Sequence, residues 1–82
     1  MASDKIFNIL NNIATLSNKD DITKEFNLIQ YKDLKNPILD IRKWDNSNND
    51  KTMLKGITLT DDEARKLKDA LNKYYGTNTQ EA

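Results

Sequence analysis

The stretch Ile38–Leu59, ILDIRKWDNSNNDKTMLKGITL, decides how this chain folds. Its first residues alternate, so that Leu39 and Ile41 point to one side of a strand while Ile38, Asp40, Arg42 and Trp44 point to the other. The run Asp45–Lys51, DNSNNDK, is a cluster of turn formers and reads as a long hairpin loop. Met53–Leu59 then reads as the returning strand. Gly56 lies inside it, and a glycine within a strand marks a bulge, a bend or a place where another backbone or a ligand comes close. The only Trp, one of the two Arg and a Lys55-Gly56 step all fall in this stretch. Aromatic, cationic and backbone-special residues are nowhere else so concentrated.

Downstream, Thr60-Asp61-Asp62-Glu63 is a capping box, in which the Thr60 hydroxyl accepts from the Glu63 amide and the Glu63 side chain returns the bond. Acidic residues crowd the positive end of the helix dipole and Lys73 sits near the negative end. Ala64, Leu67, Leu71 and Tyr74 form one apolar stripe, with Arg65, Lys66, Lys68 and Asp69 largely off it. Gly76 stops the helix as a C′ residue, and residues 76–82 are expected to fray. Upstream, Lys24–Lys32 (KEFNLIQYK) reads as a strand with Phe26, Leu28 and Gln30 on one side and Asn27, Ile29 and Tyr31 on the other. Asn36-Pro37 suits the connection to the next strand, because Pro fixes φ and donates nothing to a ladder. Ser17–Ile22, SNKDDI, reads as a turn. Ile6–Leu16 is ambiguous: its apolar residues fall near helical spacing, whereas three Ile, Thr15 and three Asn disfavour a helix. Residues 1–5 read as a disordered start.

With 82 residues the chain is one domain, assigned here to residues 6–75, and a domain of that size has a thin core. No Cys is present to supply disulfides and no His to act as the usual base or metal ligand, which leaves oligomerisation as the route to a larger core. No apolar run is long enough for a membrane span, so a membrane partner is not expected and a cytoplasmic setting is. The formal net charge is zero. Between Ile22 and Thr60 seven cations face five anions, so any polyanion binding depends on which face the cations occupy. Asp40 shares a face with Arg42 and reads as half of an ion pair, while Asp20-Asp21 and Asp61-Asp62 read as turn and cap. No phosphate loop, nucleophile–base pair or metal spacing appears, and the reading is a non-enzyme without cofactor or metal.

DIRKW, a polar loop, then KGITLT leading into an amphipathic helix resembles the C-terminal domain of the eukaryotic transcriptional positive cofactor four, and more closely its small bacterial relatives of the YdbC group. The likeness is most specific from Asp40 to Leu71 and continues upstream through KEFNLIQYKD. It implies an α+β fold, a four-stranded, curved antiparallel sheet followed by a C-terminal helix (β-β-β-β-α), and it settles Ile6–Leu16 as a strand. It also implies a homodimer that binds single-stranded DNA with little sequence preference, in transcription regulation or in DNA replication and repair. Arg42, Trp44 and Lys55 fall on positions where that family contacts the strand. Tyr31 falls on an aromatic position of the bacterial relatives and Lys24 on a basic one. Two departures from the eukaryotic pattern, Leu34 in place of an aromatic and Leu54 in place of a basic residue, weaken the expected affinity more than the expected fold.

The candidate nucleic-acid contacts are therefore Lys24, Tyr31, Lys32, Arg42, Lys43, Trp44, Lys51, Lys55 and Gly56, and the candidate dimer contacts are Leu67, Leu71 and Tyr74. A base stacked on Trp44 would contribute roughly 1–3 kcal/mol and tolerate any sequence. The same Trp44 could instead pack in a dimer interface beside a structural Arg–Asp pair, and Gly56 could mark a bulge in a strand beside a solvated Lys55. A dimeric protein-interaction module using the same face, favoured by the neutral net charge, and a single-stranded RNA binder are the competing readings.

Overall fold

The computed structural model describes residues 6–76; the expectations for residues 1–5 and for the tail from residue 77 lie outside them. Four strands, β1 (Phe7–Lys19), β2 (Ile22–Tyr31), β3 (Ile38–Asp45) and β4 (Thr52–Leu59), form one antiparallel sheet in the order β1-β2-β3-β4, and α1 (Asp61–Tyr74) follows. The architecture is α+β, as the resemblance implies.

The ambiguous segment is a strand, and its helix-like spacing has a physical cause. Pairing of β1 with β2 slips between Ile9 and Asn11, Asn12 and Ala14, and Thr15 and Ser17. Each slip is a bulge, so three residues of β1 advance along two of β2. The bulged residues are Leu10, Ile13 and Leu16, all exposed. The apolar repeat of three that imitates a helix is a repeat of bulges. Because a bulge bends its strand and sharpens its twist, three in succession curl the sheet. Phe7, at the start of β1, consequently meets Trp44 of β3, with ring centroids 5.2 Å apart, although β2 lies between their strands.

The turn after β1 is tighter than its polar run suggests. Lys19 pairs with Ile22, leaving only Asp20 (φ 50°) and Asp21 (φ 69°) between them. Two consecutive positive φ angles make a two-residue loop whose twist matches the flanking strands. The β3–β4 loop is tied to this turn: the Asn46 amide donates to the Asp21 carbonyl at 2.8 Å, and the Asn46 side chain donates to Asp21 O and Thr23 Oγ1, both at 3.0 Å.

Thr60 caps α1 as its sequence indicates, accepting from the Glu63 amide at 3.1 Å while Glu63 Oε1 accepts from the Thr60 amide at 2.8 Å. Gly76 adopts φ 62° just past the helix. The helix makes only slight contact with β3 and β4 and contains no buried residue. Its stripe is left open: Leu67, Leu71 and Tyr74 are exposed, Tyr74 to 80%. Among the described residues Ile29 and Trp44 are the only fully buried apolar side chains, whereas Thr23, Glu25, Asn27 and Asp40 are buried polar ones. Fully buried apolar surface is thus scarce among the described residues, and the rest of the apolar packing is half-buried.

Candidate nucleic-acid interface

Alternation sorts the sheet into an inner and an outer face. Cross-strand register puts Thr23 opposite Trp44, Glu25 opposite Arg42 and Asn27 opposite Asp40, and these buried or half-buried residues define the inner face. The intervening residues Lys24, Phe26 and Leu28 of β2 and Leu39, Ile41 and Lys43 of β3 define the outer face.

The inner face is a closed polar network. Arg42 grips Asp40 with Nε at 2.8 and 2.9 Å from its two oxygens and Nη2 at 2.7 Å, while Nη1 donates to the Leu54 carbonyl at 2.9 Å. Hydrogen bonds to Asp40 hold the guanidinium pKa above its ordinary value, against the opposing effect of burial. Tyr31 donates its hydroxyl to Asp40 Oδ2 at 2.8 Å. On the other side Glu25 accepts from Thr23 Oγ1 (2.6 Å), Asn27 Nδ2 (3.1 Å) and Lys51 Nζ (2.8 Å), and Asn12 of β1 donates to Asn27 Oδ1 at 2.6 Å. Burial alone would raise the Glu25 pKa, but the hydrogen bonds from Lys51, Thr23 and Asn27 and the charge of Lys51 outweigh it and leave Glu25 below the ordinary value. Trp44 is 0% exposed, beneath Phe7 and with the Lys51 ammonium 5.6 Å from its ring. A base reaches that indole only when its cover moves aside.

Burial, then the bond to Asp40, pushes the Tyr31 pKa up to about 12. The neutral phenol is the form the fold favours, so its contribution to stability is complete below pH ~10 and lost as pH rises through about 12. A spectrophotometric titration is expected to show one tyrosine ionising near pH 12 in the folded chain, and Tyr31→Phe is expected to remove that step.

Gly56 faces Arg42 across the β3–β4 ladder, where two residues of β4, Leu54 and Lys55, oppose the single Lys43. A methyl group on Gly56 would land on the Arg42 Cβ, with the Ile41 carbonyl 2.5 Å and the Arg42 Cα 2.7 Å away. Of the meanings open to a strand glycine, the close approach is to the neighbouring backbone.

The outer face carries the open cations. Lys24 and Lys43 are direct cross-strand partners, and Lys55 sits at the β4 bulge facing Lys43. All three are exposed, and among the described residues none is ion-paired. Like charges placed opposite one another destabilise a sheet. The three lysines rim an open cleft of about 500 Å³ whose remaining lining is Ile41, Arg42 and Leu54. Phe26, the next outer-face residue after Lys24 on β2 and the partner of Ile41, is half-buried beside this row. Lys32 lies past the opposite end of β2.

Seven of the nine candidate contacts thus fall into two sets on opposite faces, Tyr31, Arg42, Trp44 and Lys51 inside and Lys24, Lys43 and Lys55 outside, while Gly56 lies against Arg42 and Lys32 beyond the end of β2. Sequence reasoning overlooked Glu25, Asn27 and Thr23, which neutralise or occupy the inner groups, and Phe7, which covers Trp44. It also overlooked Phe26, although strict alternation from Lys24 already places the two on one face.

No curated protein matches the chain. Residues 18–70 match the family described as Transcriptional Coactivator p15 (PC4), a segment that begins at the last two residues of β1 and runs through β2, β3, β4 and most of α1. That match spans more than half of the chain and contains both the DIRKW strand and the KGITLT step. The chain belongs to the Transcriptional Coactivator p15 (PC4) family of nucleic-acid-binding, non-enzymatic transcription cofactors, a family that binds single-stranded DNA.

Proposed function

We propose that this chain binds single-stranded DNA without catalysis and with little sequence preference, as a homodimer, in transcription regulation or in DNA replication and repair. The observation that carries the reading is the row Lys24, Lys43 and Lys55: adjacent unpaired cations rimming one open cleft. A phosphodiester backbone crossing the strands would relieve their mutual repulsion, and the cleft between them would receive the sugar or base edge. Phe26 offers the outer face an aromatic surface next to the row. The dimer rests on the exposed stripe Leu67, Leu71 and Tyr74, joined by Ile57 of β4, which is 59% exposed. Two copies burying these surfaces would supply the apolar core that one copy lacks. The same stripe would serve a different protein equally well if the chain were monomeric. The lack of Cys fits a cytoplasmic setting.

Titrating labelled oligo-dT and its duplex counterpart at several salt concentrations tests the reading, with the mass measured by light scattering. Single-strand binding is expected to weaken with salt at about −0.7 per phosphate neutralised on a log–log plot, so Lys24→Gln/Lys43→Gln/Lys55→Gln should flatten the slope by about 2. An unchanged slope in the triple variant would move the backbone off this face. A salt-independent or absent interaction, with a monomeric mass, would favour the protein-docking reading.

A further inference from the structure

The cover on Trp44 comes from a different part of the chain than the ring it covers. Trp44 lies within the matched segment, residues 18–70, whereas Phe7 and nearly all of β1 lie before it. What covers the indole is another aromatic ring, tilted 50° at a centroid distance of 5.2 Å. Lys51 places a cation near the same indole. An aromatic face against a tryptophan is what a stacked base would bring. Trp44 Nε1 is buried with no acceptor, so the closed arrangement leaves one of the indole's interactions unmade. The cover is also the terminal part of its strand. Phe7, Asn8 and Ile9 pair with Tyr31, Gln30 and Ile29 ahead of the first bulge at Leu10, and past them Lys32 N–H donates to Ile6 O at 2.8 Å. A cleft of about 170 Å³ lined by Phe7, Asn8, Ile9 and Lys51 opens beside it.

We infer that the start of β1, Phe7 to Ile9, is an autoinhibitory strap whose Phe7 ring occupies the place of a base on Trp44, and that a single strand engages Trp44 by displacing it. The inference rests on the single-stranded-DNA reading above and adds its regulation. In the closed state the DNA strand has the outer lysine row alone; in the open state Trp44 adds a stacking contact at the same end of the sheet. Lys43, next to Trp44 in β3, links the two surfaces around the rim.

The native chain has no Cys, so Ile6→Cys/Lys32→Cys introduces one unambiguous pair. Facing residues in an antiparallel ladder lie about 4.5–5.5 Å apart, within disulfide reach. Oxidised, the pair locks the strap; reduced, it frees it, so one protein provides both states. The expected result is about tenfold weaker oligo-dT binding in the oxidised form, with lower acrylamide access to Trp44 in the free protein. Phe7→Ala should bind more tightly than the native chain and lose that gain when combined with Trp44→Leu. Equal affinity and equal acrylamide access in the two redox states would overturn the strap. Should the native chain fail to bind oligo-dT at all, the single-stranded-DNA reading falls. Acrylamide access in the two redox states then still decides whether Phe7 is a movable cover.

Discussion

Asp40→Ala is expected to lower the free energy of unfolding by about 3–5 kcal/mol, the range for removing one partner of a buried ion pair. Asp40 is fully buried and the Arg42 side chain is only 12% exposed, so the substitution leaves a guanidinium with its chief partner gone and little water to replace it. Tyr31 loses its acceptor at the same time. Urea unfolding followed by circular dichroism measures the loss. The double variant Asp40→Ala/Arg42→Met should recover a large part of it, because removing both charges ends the burial of an unpaired one. A loss below about 1 kcal/mol for Asp40→Ala, in the range of an exposed pair, would mean that the guanidinium swings out to solvent. Arg42 would then be a mobile cation available to phosphate.

The second large effect is expected at Gly56. Its missing side chain leaves the space that the Arg42 Cβ occupies, and the nearest other atoms are backbone, which cannot rotate away. Gly56→Ala should therefore reach the upper end of overpacking costs, about 3 kcal/mol. At about 4–8 °C per kcal/mol for a domain of this size, that is a drop in Tm of more than about 12 °C. Gly56→Ser should behave like the alanine variant, since the collision is at Cβ. A variant that melts like the native chain yet binds oligo-dT less tightly would instead assign Gly56 to ligand approach.

Much of the fold was legible because local signals agreed. Alternation from Ile38 to Trp44 put Leu39 and Ile41 on one face of β3 and Asp40, Arg42 and Trp44 on the other, and the Thr60–Glu63 box placed the helix start. β1 was legible only through family likeness: its spacing is set by bulges, and a bulge has no residue signature when any side chain can fill it. The turn was narrower than its composition because Asp20 and Asp21 alone absorb the reversal, letting Ser17–Lys19 pair with β2. The site was less legible than the fold. Arg42 and Trp44 attract attention as residue types, but their availability depends on partners far away in sequence, Phe7 across the curl and Glu25 holding Lys51. Thr23, Glu25 and Asn27 alternate with Lys24, Phe26 and Leu28, a pattern that ordinarily sends the polar set outward. Only the curl reverses that expectation, by turning the polar set into the interior.

The bulged strand also settles a problem of assembly. β1 is an outer strand of the sheet, and from Phe7 to Asn18 it carries no charged residue, so the lysine or glutamate that usually discourages strand addition is missing. A regular incoming strand repeats every two residues, whereas β1 advances in threes, and the two fall out of step at each bulge. Bulges twist an edge away from an approaching strand, one of the ways natural sheets blunt their edges. The strand's meter thus takes over the blunting that a charged edge residue would otherwise supply.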